Sequence, residues 1–163
     1  MVIVKWLVIV IVVLAVGLVV AGRLGYLRGT APTDLGVKDG RLKPPSATEN
    51  SVTSQAGMYP EHPQRHYAEI APIELKGDGP TTLAKIKSVV EAMPGAAVIE
   101  SRPDYLYAQF TTKVMQFVDD TEFWYDPENQ AIQVRSASRI GRRDMGVNRA
   151  RVEAIRAGLQ AKG

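Results

Sequence analysis

The sequence predicts an α+β domain behind an N-terminal transmembrane helix. The expected order is β-α-β-β-β-β-α, an antiparallel sheet with helices on one face. Three observations predict it. The first 21 residues hold 19 hydrophobic residues, against 55 in the other 142, so the apolar excess sits at one end. Tyr105–Val114 alternates apolar and polar residues, the period of a half-buried strand, and Glu122–Asp126 and Ile132–Ser138 flank a hairpin turn. Leu83, Ile86, Val89, Val90 and Met93 recur at helical spacing, as do Val152, Ile155 and Leu159. A chain of 163 residues divided this way holds one small domain, which excludes a polytopic transporter, a large multidomain enzyme and a wholly disordered chain.

The first element is the apolar run. Trp6–Gly22 is 17 residues without a charge. With Val2–Val4 it reaches about 20 residues, enough at ~1.5 Å per residue to cross a hydrocarbon core of ~30 Å. In lipid such a run must satisfy its own backbone, so it is a helix. Residues 1–22 read as an anchor. The competing reading is a cleaved signal peptide, because Val19-Val20-Ala21 resembles a cleavage site; the run exceeds the ~7–15 residues usual for one. Gly17, Ala21 and Gly25 recur every four residues, and Gly29 continues the spacing. Small residues so spaced let two helices approach closely, and they also arise by chance in a run this rich in small residues. Lys5 lies on one side of the run and Arg23 and Arg28 on the other, which leans the domain towards the cytoplasm.

Residues 23–31 read as a short tether. Arg28–His66 holds five prolines and four glycines in 39 residues and has no sustained periodicity. Its scattered apolar residues, Leu35, Val37, Leu42, Val52 and Met58, could pin it to the domain. Residues 32–66 are therefore expected as an extended wrap, and residues 67–163 as the α+β core.

Within the core, Tyr67–Leu75 is strand-like and interrupted by Pro72. Gly77-Asp78-Gly79-Pro80 is a turn, Thr81 an N-cap, and Pro94-Gly95 a helix stop. Ala97–Glu100 is a short strand. On Tyr105–Val114, Leu106, Ala108, Phe110 and Val114 share one face. Tyr105, Tyr107, Gln109 and Thr111 share the other. Asp126–Gln130 is a hairpin turn between two strands. After Ser138 an Arg/Gly loop leads to a last helix, capped by Asp144 or Asn148.

Matching the apolar residues of the hairpin sets Tyr125 opposite Ile132 and Phe123 opposite Val134. Glu122 then faces Arg135, Trp124 faces Gln133, and Asp120 lies between Arg135 and Arg139. A one-residue slip would bury the charges, so the register is well specified. The result is a sheet face carrying Asp120, Glu122, Trp124, Arg135 and Arg139. It is either a solvated face of cross-strand salt pairs or a polar groove. In the groove, Arg135 and Arg139 would clamp an anion and Trp124 would stack on a ligand.

Several of these stretches resemble a known family. They are Phe117-Val118-Asp119-Asp120-Thr121-Glu122-Phe123, Asp126-Pro127, Val134-Arg135-Ser136-Ala137-Ser138-Arg139, and Gly146-Val147-Asn148-Arg149 through Arg151-Val152-Glu153. Pro32–Val37, Gly40–Pro44, Asn50–Gln55 and Asp104–Tyr107 fit as well. Together they resemble the bacterial family catalogued as domain of unknown function 1499, over roughly residues 32–160. The resemblance implies that the Pro-rich stretch belongs to the domain, and it supplies no catalytic assignment. It also implies an envelope protein, with the domain outside the cytoplasm of a bacterial inner membrane. Family members commonly carry a cysteine pair in the wrap, where this chain has Pro45 and Ser51.

Net charge is +3, from 20 basic and 17 acidic residues, which carries no argument for nucleic acid. Residues 103–130 hold six acids and one base, and residues 135–163 eight bases and two acids. These blocks either neutralise each other or leave a basic surface for an anionic partner. No cysteine is present, which excludes disulfides and thiol chemistry. His62 and His66 are separated by Pro63, so no metal site is expected, and no cofactor motif occurs. Tyr105, Tyr107, Asn148 and Arg149 are secondary candidates for a site. The sequence thus supports a membrane-anchored, non-catalytic binding module whose partner is a protein, an anionic small molecule or a lipid headgroup. Two alternatives stand beside it: an enzyme using Asp120 or Glu122 as general base, and a scaffold dimerising through Gly17, Ala21 and Gly25.

Overall fold

The computed structural model describes residues 2–161. Helix α1 (Val2–Arg23) is exposed along almost its whole length. Among the described residues it alone is long and apolar enough to cross a membrane, a test of length and composition that a signal sequence also passes. The helix stops at Arg23, and Gly25 lies beyond it in a turn at φ +87°. Of the small-residue stripe, then, only Gly17 and Ala21 are helical.

The domain is α+β. After α1 come β1 (Ser51–Thr53), a 3₁₀ turn at Ala56–Met58, and the single helical turn α2 (Arg65–Ala68). Then follow β2 (Ile73–Glu74), α3 (Gly79–Glu91), β3 (Ala96–Ser101), β4 (Tyr105–Thr111), β5 (Val118–Asp126), β6 (Ala131–Ser138) and α4 (Val147–Ala161). The six strands form one antiparallel sheet in the order β1-β6-β5-β4-β3, with β2 also paired to β6. The β5–β6 register is the expected one, with Tyr125 opposite Ile132, Phe123 opposite Val134 and Glu122 opposite Arg135.

Four local expectations are corrected. Strand β1 lies inside the Pro-rich stretch, where no alternation announces it. Tyr67 is helical, and of the expected first strand Ile73–Glu74 pairs with β6 while Glu69 makes only an isolated bridge to Thr53. Asp78, not Thr81, caps α3: its carboxylate accepts from the Thr81 N–H at 2.7 Å, and Pro80 occupies the first turn, where its missing N–H costs nothing. Strand β4 ends at Thr111, so Val114 leaves the sheet and is exposed.

The main core lies between the sheet and the helices α3 and α4. Leu83, Ile86 and Val90 of α3 and Val152, Ile155 and Leu159 of α4 meet Leu106, Phe123, Ile132 and Val134 of the sheet. Each such side chain contributes about 1.5–3 kcal/mol when fully buried.

The α3–β3 turn depends on Gly95. It adopts φ +74°, and a Cβ there would run into the Thr111 carbonyl oxygen. Gly95→Ala is expected to cost on the order of 1–3 kcal/mol from the backbone conformation alone, read as a lower denaturant midpoint with an unchanged slope.

Candidate functional site

Alternation along β4, β5 and β6 brings Asp120, Glu122, Trp124, Arg135 and Arg139 onto the face opposite the helices, together with Tyr105 and Tyr107. Around Asp120, Glu122 and Arg135 that face is covered and not solvated. Residues 34–46 run across it as a roof. Leu42, only 1 % exposed, packs with Tyr105 and Tyr107, and Leu35, Val37 and Trp124 pack around them. Of the scattered apolar residues of the wrap, Leu35, Val37 and Leu42 thus act as its fasteners, whereas Val52 joins the main core and Met58 is exposed.

Beneath the roof the charges form two groups. Arg139 grips Asp120 with two parallel hydrogen bonds, Nε to Oδ2 and Nη2 to Oδ1, both 2.8 Å. Tyr107 donates its hydroxyl to the same Oδ1 at 2.5 Å, and Gln109 Nε2 donates to that hydroxyl. The bond to Asp120 raises the Arg139 pKa. Burial, then the carboxylate, raises that of Tyr107.

In the second group, Glu122 Oε1 accepts from the Gly36 N–H at 2.7 Å and from the Tyr105 hydroxyl at 2.8 Å. Its Oε2 has no hydrogen-bond partner and lies 4.0 Å from Arg135 Nη1. Arg135 Nε donates to the Pro44 carbonyl at 3.2 Å, a second tie to the roof. Burial raises the Glu122 pKa, against the pull of Gly36, Tyr105 and Arg135. Burial likewise raises the Tyr105 pKa and lowers that of Arg135. A general base needs a substrate within hydrogen-bond reach. Glu122 is 0 % exposed and Asp120 is 3 % exposed.

Trp124 is half-buried and lines a polar cleft of about 610 Å³ with Asp126, Asn129 and Gln133. Its neighbours there are already engaged. Gln133 bridges Asp126 and Ser54, and Asn129 donates to Asp126. Burial pushes the Asp126 carboxyl up, but these amides and two backbone N–H groups together hold it below its ordinary value.

Asn148 and Arg149 sit on the opposite side, at the start of α4. Asn148 is fully buried, and its Oδ1 accepts from Ser136 Oγ and from Arg151 Nη1. Arg149 donates to the carbonyls of Tyr67 and Glu69, tying α4 to α2. Asp144 receives the Tyr67 hydroxyl in a short hydrogen bond, and burial followed by that contact raises the Tyr67 pKa to about 12.

The most buried ion pair on this side was not read from the sequence. Arg151 Nη2 donates to Asp119 Oδ2 at 2.5 Å, and the guanidinium stacks 4.6 Å over Phe110. The signal was present, because Asn148, Arg151, Val152, Ile155 and Leu159 share one helical stripe. Among the described residues, no three His, Asp or Glu side chains are grouped to hold a metal ion.

No curated protein and no solved structure matches the chain. A family model does: it spans residues 41–159, from the roof to the last turns of α4, and takes in all of the sheet. The chain belongs to the family described as protein of unknown function (DUF1499).

Proposed function

We propose that this protein is a membrane-anchored, non-catalytic binding module of the bacterial envelope, with its domain held against the outer surface of the inner membrane. The observation that carries this reading is the joint between α1 and the domain. Gly22, in the last turn of α1, lies against the 112–117 loop, and a Cβ on it would stand 2.5 Å from the Met115 carbonyl oxygen. Beyond the helix, Arg28 Nη2 donates to Gln116 Oε1 at 3.2 Å, and Gly29 abuts Arg139 and Ile140. Residues 23–31 therefore supply little slack. A domain joined this way engages what lies at the bilayer surface. The roofed charges of the sheet face serve the fold, which turns attention to the membrane-side surface for a partner.

The test is hydrogen exchange on the full chain in lipid nanodiscs and in detergent. Residues 112–117 are expected to be protected more in the bilayer. Gly22→Val, which cannot keep the close seat on Met115, is expected to remove that added protection. Equal exchange in both media would refute the membrane-surface reading. A C-terminal reporter fusion reads the side of the membrane, and a cytoplasmic signal would overturn the placement outside.

A further inference from the structure

A cleft of about 960 Å³ opens at the membrane end of the domain, between the end of α1, the 112–117 loop and the first turn of α4. Arg23, Arg28, Lys113 and Arg151 line it, and no carboxylate does. Arg151 is already committed to Asp119, Ser136 and Asn148. Of the other three, Arg28 donates to the neutral Gln116 side chain, which brings no opposite charge. Among the described residues none of them joins an ion pair. Three uncompensated cations around one cleft make a field that favours an anion.

The position narrows the anion. Arg23 is the last residue of α1, so the cleft sits at the level where a spanning helix leaves the hydrocarbon. Its surroundings are apolar as well as basic: Leu24 is 68 % exposed, Val114 53 % and Val147 47 %. Soluble anions need no such apolar surround, whereas a lipid presents a phosphate and its glycerol and acyl chains together. Resting on the membrane-surface reading above, we infer that this cleft binds the headgroup of an anionic phospholipid. Arg23, Arg28 and Lys113 hold the phosphate, and Val114 and Leu24 lie against the lipid beneath it.

The test uses the full chain in neutral detergent micelles and counts retained lipid by native mass spectrometry. The probes are phosphatidylglycerol and phosphatidylcholine with the same acyl chains. Phosphatidylglycerol is expected to remain bound preferentially. A basic residue near an anionic lipid surface is worth about fivefold, so Arg23→Gln/Arg28→Gln/Lys113→Gln should lose on the order of 100-fold. Lys113→Glu alone, at an exposed position of the 112–117 loop, should lose about 30-fold at an unchanged melting temperature. Equal retention of the two lipids, or undiminished retention by Lys113→Glu, overturns the inference. So does displacement of phosphatidylglycerol by equimolar inorganic phosphate or glycerol phosphate, which would make the site one for a soluble anion. If bilayer protection of 112–117 persists while lipid preference is absent, the inference alone fails. If lipid binds in micelles but the loop is unprotected in nanodiscs, the membrane-surface reading fails and the cleft stands.

Discussion

Arg151→Met is expected to lower the unfolding free energy by about 3–5 kcal/mol, the cost of leaving one member of a buried ion pair behind. Methionine fills much of the space, so packing is not the main loss. Asp119, with its side chain only 7 % exposed, loses its cation. Asn148 and Ser136 also lose a donor, and Phe110 loses the guanidinium over its ring. The check is a guanidinium chloride titration of the detergent-solubilised chain. The double variant Asp119→Leu/Arg151→Met should recover most of the loss, because removing both charges removes the unpaired one. A single variant that loses less than about 1 kcal/mol would mean that Asp119 reaches solvent.

The second large effect is expected at Arg135. Arg135→Met removes the cation facing Glu122 Oε2 and the hydrogen bond to Pro44, so it strands a buried carboxyl and loosens the roof. About 3–5 kcal/mol is expected near neutral pH. The pH dependence has a definite sign. A carboxyl whose folded pKa lies above its unfolded value keeps its proton in the native state after the unfolded chain has lost it. Unfolding then releases a proton, and stability falls as pH rises across that window. For Glu122 the window opens near its ordinary value of 4.5 and extends up to its raised folded value. Taking away Arg135 removes one influence holding that value down, so the window widens upward. The variant should thus lie closer to wild type at mildly acidic pH than at neutral pH. Asp126 and Asp144 do not confuse the measurement. Their folded values lie below the ordinary 3.8, so their contributions are lost only as pH falls below that. A deficit independent of pH between mild acid and neutrality would show that Arg135 acts on the roof and not on Glu122.

Legibility followed the range of the interactions. The β5–β6 register was readable because its partners are close in sequence and each strand alternates. Helices α3 and α4 were readable from their apolar stripes. Strand β1 was not, because three residues have no period and their partners, Arg135 to Ala137, lie more than 80 residues away. The roof left only a trace, the apolar Leu35, Val37 and Leu42 in a stretch otherwise fit for a linker. Alternation says that Glu122 and Arg135 point away from the helices; it cannot say that another segment covers them. Arg151 is hidden for a different reason: a charge on an apolar stripe does not say which buried group of another element it pairs with, here Asp119. The basic cleft at the membrane end draws on three separate parts of the chain. Until the fold assembles them, Arg23 and Arg28 read as topology charges and Lys113 as a lone base in an acidic run.

If α1 spans the membrane as proposed, the seat of Gly22 on Met115 would also make it a lever. A spanning helix answers a thinner bilayer by leaning further from the membrane normal. With a flexible linker that lean would end at the lipid surface. Here the last turn of the helix is wedged against the loop that leads into β5, so the domain would lean too, carrying with it the hairpin at Asp126–Gln130 at the other end of that strand. Membrane thickness would then be read out as the direction in which that hairpin points. Site-attached probes on the hairpin, compared between short-chain and long-chain lipid nanodiscs, would follow the swing, and Gly22→Val should abolish it.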